Sequence, residues 1–145
     1  MKIRILTVGK LKRGPLADLV AEYLKRCRWT ISFVEVDHSS KQAESQKILS
    51  YVAHDDYVIL LDERGQSMTS PDFSRFIEEK QSLGLSSITF IIGGAEGPDL
   101  SIHQRADKKM AFGIQTWPHM FVRLMLVEQL YRAEQILSGH PYHKN

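Results

Sequence analysis

At 145 residues, 43% hydrophobic and 25% charged, the chain has the size and composition of one globular domain able to bury a core. No apolar run approaches the ~20 residues of a membrane-spanning helix, and the single Cys27 rules out an internal disulfide. The basic start MKIRILTVGKLKRG lacks the long apolar centre of a secretory signal, so a cytoplasmic protein is expected. The formal net charge of +2 hides an asymmetry: residues 1–28 carry eight basic and two acidic side chains, and the remainder is net negative. That basic end is suited to a polyanion, although a solvated basic helix face has the same composition.

In chain order, residues 3–8 read as an apolar strand ending at Gly9. Residues 15–28 place Leu16, Leu19, Val20, Tyr23, Leu24 and Cys27 at helical spacing behind Pro15, which suits a first turn. Residues 31–36 form a second strand, and 41–52 a helix turning Ala43, Ile48, Leu49 and Val52 inward. Residues 57–61 (YVILL) are a third strand, apolar throughout, as in the middle of a parallel sheet. Residues 70–84 form a helix with Ser70 as N-cap, Pro71 at its first position and Phe73, Phe76 and Ile77 inward. Residues 88–92 are a fourth strand. It empties into the loop GGAEGPD, whose glycines permit a sharp turn and a close backbone approach to a ligand. Residues 99–109 are a short helix or turn, 110–114 a weak fifth strand, and 118–138 a long helix stopped by Gly139. Strands alternating with helices predict an α/β fold, a mainly parallel sheet with helices on both faces, as a single domain over 1–145.

Three loops follow apolar strands: DERGQSMTSPDF, GGAEGPD and QTWPH. If the third, fourth and fifth strands are neighbours, the loops converge at one sheet edge, where ligands of open parallel sheets bind. Their backbone groups suit the polar parts of an adenosyl-type ligand, with Leu61, Phe112 and Trp117 supplying apolar contact. The glycine pattern matches neither the dinucleotide fingerprint nor a phosphate-cradling P-loop, and a lone glycine loop also serves as a plain tight turn.

The final helix is apolar around well over half its circumference, more than the ~100° stripe needed to pack on one sheet face. A homodimer through this helix is expected; burial within one chain is the competing explanation. The chain then ends Gly139-His140-Pro141-Tyr142-His143-Lys144-Asn145. Imidazoles move protons near neutrality, a phenol stacks on bases, and an ammonium holds phosphate. A polar tail without a role is the simpler alternative.

In these motifs the chain resembles the RlmH-type SPOUT methyltransferases nearly end to end. The resemblance rests on VGKLK (8–12), LD at 61–62 followed by Gly65, IIGGAEG (91–97) and PHMFVRLMLVEQLYRAEQILSGHPYHK (118–144). It implies methylation of N3 of a pseudouridine in large-subunit (23S) ribosomal RNA, on the assembled ribosome, and a C-terminal deep trefoil knot. S-adenosylmethionine is the implied cofactor, held by Leu61, Gly93, Phe112, Gly113, Ile114, Gln115, Thr116 and Trp117, with no metal. His143 is then the expected base or its orienter, with Tyr142 and Lys144 positioning the nucleotide. Arg123 and Arg132 would stabilise the imidate or grip phosphate. The alternative for these arginines is salt bridges along the helix, Glu128–Arg132 being an i,i+4 pair, and His119 is expected to cap or pack. RNA contact is assigned to Lys10, Lys12, Arg13, Lys25, Arg26, Arg28, His140 and Lys144. The chain departs from the resemblance at Pro98-Asp99 and is short after Val36. A non-catalytic RNA- or ribosome-binding protein on the same scaffold, or a methyltransferase acting on tRNA, are the rival readings.

Overall fold

The computed structural model describes residues 1–144. Five strands, β1 (Lys2–Val8), β2 (Thr30–Val36), β3 (Val58–Ser67), β4 (Ser87–Ile92) and β5 (Lys108–Ala111), form one parallel sheet in the order β2-β1-β4-β3-β5. They alternate with α1 (Pro15–Arg26), α2 (Lys41–Leu49), α3 (Ser70–Ser82) and α4 (Leu100–Arg105), and α5 (His119–Leu137) follows β5. The α/β architecture expected from the alternation is therefore present.

Side-chain alternation along the strands builds two cores. Ile3, Ile5, Ile59, Ile88, Phe90 and Ile92 face α1, α3 and α5 on one side. Leu6, Val8, Val36, Val58, Leu60 and Ile91 face α2 and α4 on the other. Strands buried on both faces read as continuous apolar runs, and these do. Successive strands send their helices to opposite faces: α3 leaves β3 on one side and α4 leaves β4 on the other. Because β3 and β4 are neighbours, their loops part and open a crevice at the carboxyl ends.

Several local expectations are corrected. β3 runs on to Ser67, so the first half of what reads as a loop after Leu61 is strand, and its Gln66 and Ser67 pair with β5. The pairing is broken between Leu61 and Gln66 by an irregularity containing Gly65. β5 lies at Lys108–Ala111, two residues earlier than expected. α2 ends at Leu49, and it is Glu44 and Ser45 that are buried beside Ile48, with Ala43 exposed. Leu19 of α1 is also exposed. Thr69, not Ser70, caps α3, its hydroxyl accepting from the Asp72 N–H at 3.1 Å.

α5 lies on the sheet between α1 and α3, which accounts for much of its apolar surface. Glu134, near its end, is buried and accepts the backbone N–H groups of Arg28 and Trp29 at 2.8 and 2.9 Å. That contact fixes the α1–β2 turn onto α5. Burial and the nearby Glu134 charge push the Cys27 thiol up to about 12, so this cysteine is inert at neutral pH.

A Cβ at Gly65 would lie 2.6 Å from the backbone of Lys109 and Met110. Gly65→Ala should therefore cost about 2 kcal/mol or more in urea unfolding, because backbone and not a flexible side chain must yield. An unchanged midpoint would show that the β3–β5 pairing tolerates a wider spacing.

Candidate active site

Leu61, Ile92 and Met110 sit at one level across β4, β3 and β5, since Leu61 pairs with both of the others. They floor a cleft of about 820 Å³, a volume suited to a nucleoside-sized ligand. Its walls are the glycine loop 93–98, Asp62 to Arg64, and the segment 112–118 leading into α5, closed by His119 and Val122. The loops after strands three, four and five thus converge as expected.

The glycine loop is shaped by close approach. A Cβ at Gly93 would meet Pro98 at 2.9 Å, and one at Gly94 would meet buried Glu44 and Val8 at 3.2 and 3.3 Å. Gly97 has φ +76° and donates its N–H to the Gly94 carbonyl at 2.9 Å. Pro98-Asp99 has a local purpose: Asp99 caps α4 by accepting the Ser101 N–H at 3.0 Å, while its own N–H donates to Ser45 Oγ at 3.0 Å. The Ser101 hydroxyl bond is the main reason the Asp99 carboxyl is held below the usual range.

Of the residues assigned to the cofactor, Leu61, Gly93, Phe112, Gln115, Thr116 and Trp117 line the cleft. Trp117 is anchored by its indole N–H donating to the Phe112 carbonyl at 2.9 Å, and Thr116 donates to Glu63. Gly113 and Ile114 do not line it. Gly113 borders a smaller cavity of about 190 Å³ behind Phe112, and Ile114 is 93% exposed at the tip of the segment.

Arg123 is corrected more sharply. It is only 1% exposed, and both of its terminal nitrogens are engaged inside the protein, while Nε is buried without a partner among the described residues. One terminal nitrogen donates to Glu35 Oε2 at 2.5 Å, the other to the carbonyls of Val8 and Gly9 at 2.8 and 2.7 Å. Glu35 also accepts the Leu11 N–H at 2.8 Å. This guanidinium ties the end of β1 and the start of the basic loop to α5; it is not free to meet a substrate. His119, one turn earlier and half-buried on the cleft wall, is pushed below the ordinary imidazole value by burial and by the Arg123 and His38 charges, against the pull of Glu44. No capping hydrogen bond is seen at this helix start, and the ring borders the cleft.

The tail forms a second cluster. Glu128 accepts Arg132 Nη2 at 2.6 Å and the Tyr142 hydroxyl at 3.0 Å. Arg132 reaches on to His143 Nδ1 at 3.0 Å and stacks over the Tyr142 ring at 4.8 Å. Tyr142 meets Tyr23 (oxygens 3.3 Å apart) and packs edge-on to Tyr131. Burial, then Tyr23 and Glu128, push the Tyr142 phenol above its ordinary value, so it stays a neutral donor. Because an arginine only donates, His143 Nδ1 must accept, which puts the proton of a neutral ring on Nε2. Neither Tyr142 nor His143 lines the cleft of its own chain. Glu128 and Arg132 lie ~13 and ~20 Å farther along the α5 axis than His119, at 1.5 Å rise per residue.

The basic residues also divide. Lys10, Lys12 and Arg13 are exposed after β1, on the cleft side of the sheet. Lys25, Arg26 and Arg28 are exposed at the far end of α1, and Arg26 is paired with Glu22 at 3.0 Å. His140 and Lys144 are exposed on the tail, whose Tyr142 meets α1 at Tyr23. One basic end in sequence becomes two groups, because α1 carries the chain across the sheet. Sequence reasoning also missed His103 on α4 and Asp62, which face each other on the cleft wall with Nδ1 and Oδ2 3.8 Å apart. The LD motif at 61–62 marks Asp62 without giving it a role, and nothing in the sequence marks His103.

If Arg123 serves the fold, Arg123→Met should cost about 2–4 kcal/mol in urea unfolding, leaving two carbonyls and Glu35 without their partner. Unchanged stability would mean the guanidinium is held for a reaction partner.

Comparison with known proteins agrees with this geometry. The family described as "Predicted SPOUT methyltransferase" matches residues 1–143. A protein of Rhodospirillum centenum named "Ribosomal RNA large subunit methyltransferase H" is 40% identical over 151 positions, covering 99% of each chain. Proteins of the same name from Carboxydothermus hydrogenoformans and Streptococcus pneumoniae strain CGSP14 are 40% and 42% identical over 159 positions, covering 99% of this chain and all of theirs. Those 159 positions against 145 residues agree with a chain shorter than its relatives. Among solved structures, a probable methylase family protein from Haemophilus influenzae Rd KW20 shares the fold at a TM-score of 0.57 and 10% identity, covering 99% of this chain and 70% of that one. From the match over nearly its whole length, together with its relatives, the chain belongs to the SPOUT methyltransferase family.

Proposed function

We propose that the chain is an S-adenosylmethionine-dependent methyltransferase acting on N3 of a pseudouridine in large-subunit ribosomal RNA, in the cytoplasm and on the assembled ribosome. One observation carries the cofactor reading: three loops from neighbouring strands close one nucleoside-sized cleft in a chain of this family. The residues fit such a group. Leu61, Ile92, Met110, Phe112 and Trp117 offer apolar surface to a base, and the glycine loop and segment 112–117 offer backbone donors and acceptors. The substrate reading is supported by relatives at about 40% identity, named for large-subunit ribosomal RNA.

When bound, S-adenosylmethionine supplies an electrophilic sulfonium methyl. The chain's task is then to align N3 with that carbon and to stabilise the charge left on the uracil oxygens as the N3 proton departs. Arg132 leaves His143 with its Nε2–H pointing away from the Glu128 cluster's anchor. His143 therefore serves as a hydrogen-bond donor to an imidate oxygen, Tyr142 places the ring and Lys144 holds phosphate. The distance along α5 between cleft and tail supports a reading in which the tail of one subunit serves the cleft of another. We accordingly propose a homodimer through α5, whose Phe121 is 51% exposed near the cleft. The path from β5 at the sheet edge back to α5 between α1 and α3 fits a C-terminal trefoil knot, the arrangement implied for this family.

Deleting residues 140–145 should leave S-adenosylmethionine binding within about threefold by calorimetry and abolish methyl transfer; retained transfer would exclude the tail. Mixing that deletion with a Gly93→Val variant, which blocks the cleft, should restore part of the activity through hybrid dimers. No recovery would mean that each subunit completes its own site. Ribosome affinity should fall steeply with salt if the exposed lysines and arginines hold phosphates, and a flat dependence would remove their role.

A further inference from the structure

The wall of the cleft below the glycine loop holds two polar side chains whose hydrogen-bonding capacity the protein uses only in part. Asp62 is 12% exposed at the end of the apolar part of β3. Its Oδ1 accepts the Arg64 N–H at 3.1 Å, and the exposed Arg64 side chain brings its Nε to 3.8 Å from the same oxygen, leaving Oδ2 free of both. Its Oδ2 faces His103 Nδ1 across 3.8 Å, beyond hydrogen-bond range. The His103 ring, 18% exposed, makes no hydrogen bond among the described residues. Its helix is fixed from beneath by the Asp99 cap and by Ser45, so the ring is presented from a rigid support.

The size of the gap is informative. One hydroxyl oxygen can sit about 2.7 Å from a carboxylate oxygen and about 2.9 Å from an imidazole nitrogen when those two atoms are 3.8 Å apart, donating to the first and accepting from the second. A direct pair would have closed to under 3 Å; an apolar ligand would leave both groups desolvated and unpaired. A ligand carboxylate is disfavoured here by the Asp62 charge, whereas Lys41 on another part of the wall suits one.

We propose that Asp62 and His103 form the subsite that takes the ribose hydroxyls of the nucleoside in the cleft, an inference that rests on the cofactor reading above. It makes this pair a determinant of specificity for ribonucleoside over deoxyribonucleoside ligands.

The test is calorimetric titration of the full chain with S-adenosylhomocysteine, with its 2′-deoxy and 3′-deoxy forms, and with a form lacking the α-amino group. In the parent protein, loss of at least one hydroxyl should weaken binding about tenfold or more. In Asp62→Asn that penalty should fall below about threefold, and in His103→Gln it should fall in the same direction, with unfolding midpoints close to the parent's. An undiminished deoxy penalty in both variants overturns the proposal. So does an Asp62→Asn defect that disappears only with the deaminated ligand, which would assign the carboxylate to the amino group. Failure of the parent to bind S-adenosylhomocysteine at all overturns the cofactor reading, and this subsite with it.

Discussion

The buried Arg123 guanidinium is the constraint around which the site is arranged. It reaches from the second turn of α5 to two carbonyls at the end of β1 and to Glu35 on β2. Burying a charge is costly unless it is paired and hydrogen-bonded, and this one finds three acceptors. The first turns of α5 are thereby held against the sheet where the cleft opens, with His119 and Val122 on its wall. The same contacts fix the start of the loop carrying Lys10, Lys12 and Arg13. A single side chain thus joins the cleft wall to the basic loop beside it.

α5 acts as a ruler between two chemical neighbourhoods. Its first turns border the cleft, and its later turns carry Glu128 and Arg132, onto which the tail folds back. The phenol and imidazole of the tail are engaged by named partners. Held this way, the tail lies far from the cleft of its own chain. That separation supports the proposed two-chain site more directly than the apolar character of the helix does.

The alternation of strands and helices was legible because parallel strands buried on both sides must be apolar throughout. β4 and the apolar part of β3 are plain in ITFII and YVILL. The length of β3 was not, because DERGQS pairs only at an edge, past a break that needs Gly65. The cleft was legible as three loops, but which side chains turn into it was not. Ile114 and Trp117 lie three residues apart in one segment, yet the first points to solvent and the second is anchored on Phe112. Arg123 read as reactive because sequence shows a charge and hides its burial. Asp62 and His103 stand 41 positions apart and meet only through the pairing of β3 with β4 and the placement of α4.

The central claim is that this cleft holds a methyl donor whose methyl goes to large-subunit ribosomal RNA. It is tested most directly by incubating the protein and labelled S-adenosylmethionine with assembled ribosomes, free large subunits and tRNA, then identifying the modified nucleoside by mass. The account predicts label in large-subunit RNA of assembled ribosomes, as an N3-methylated pseudouridine. Label in tRNA alone, or ribosome binding without transfer, would contradict it.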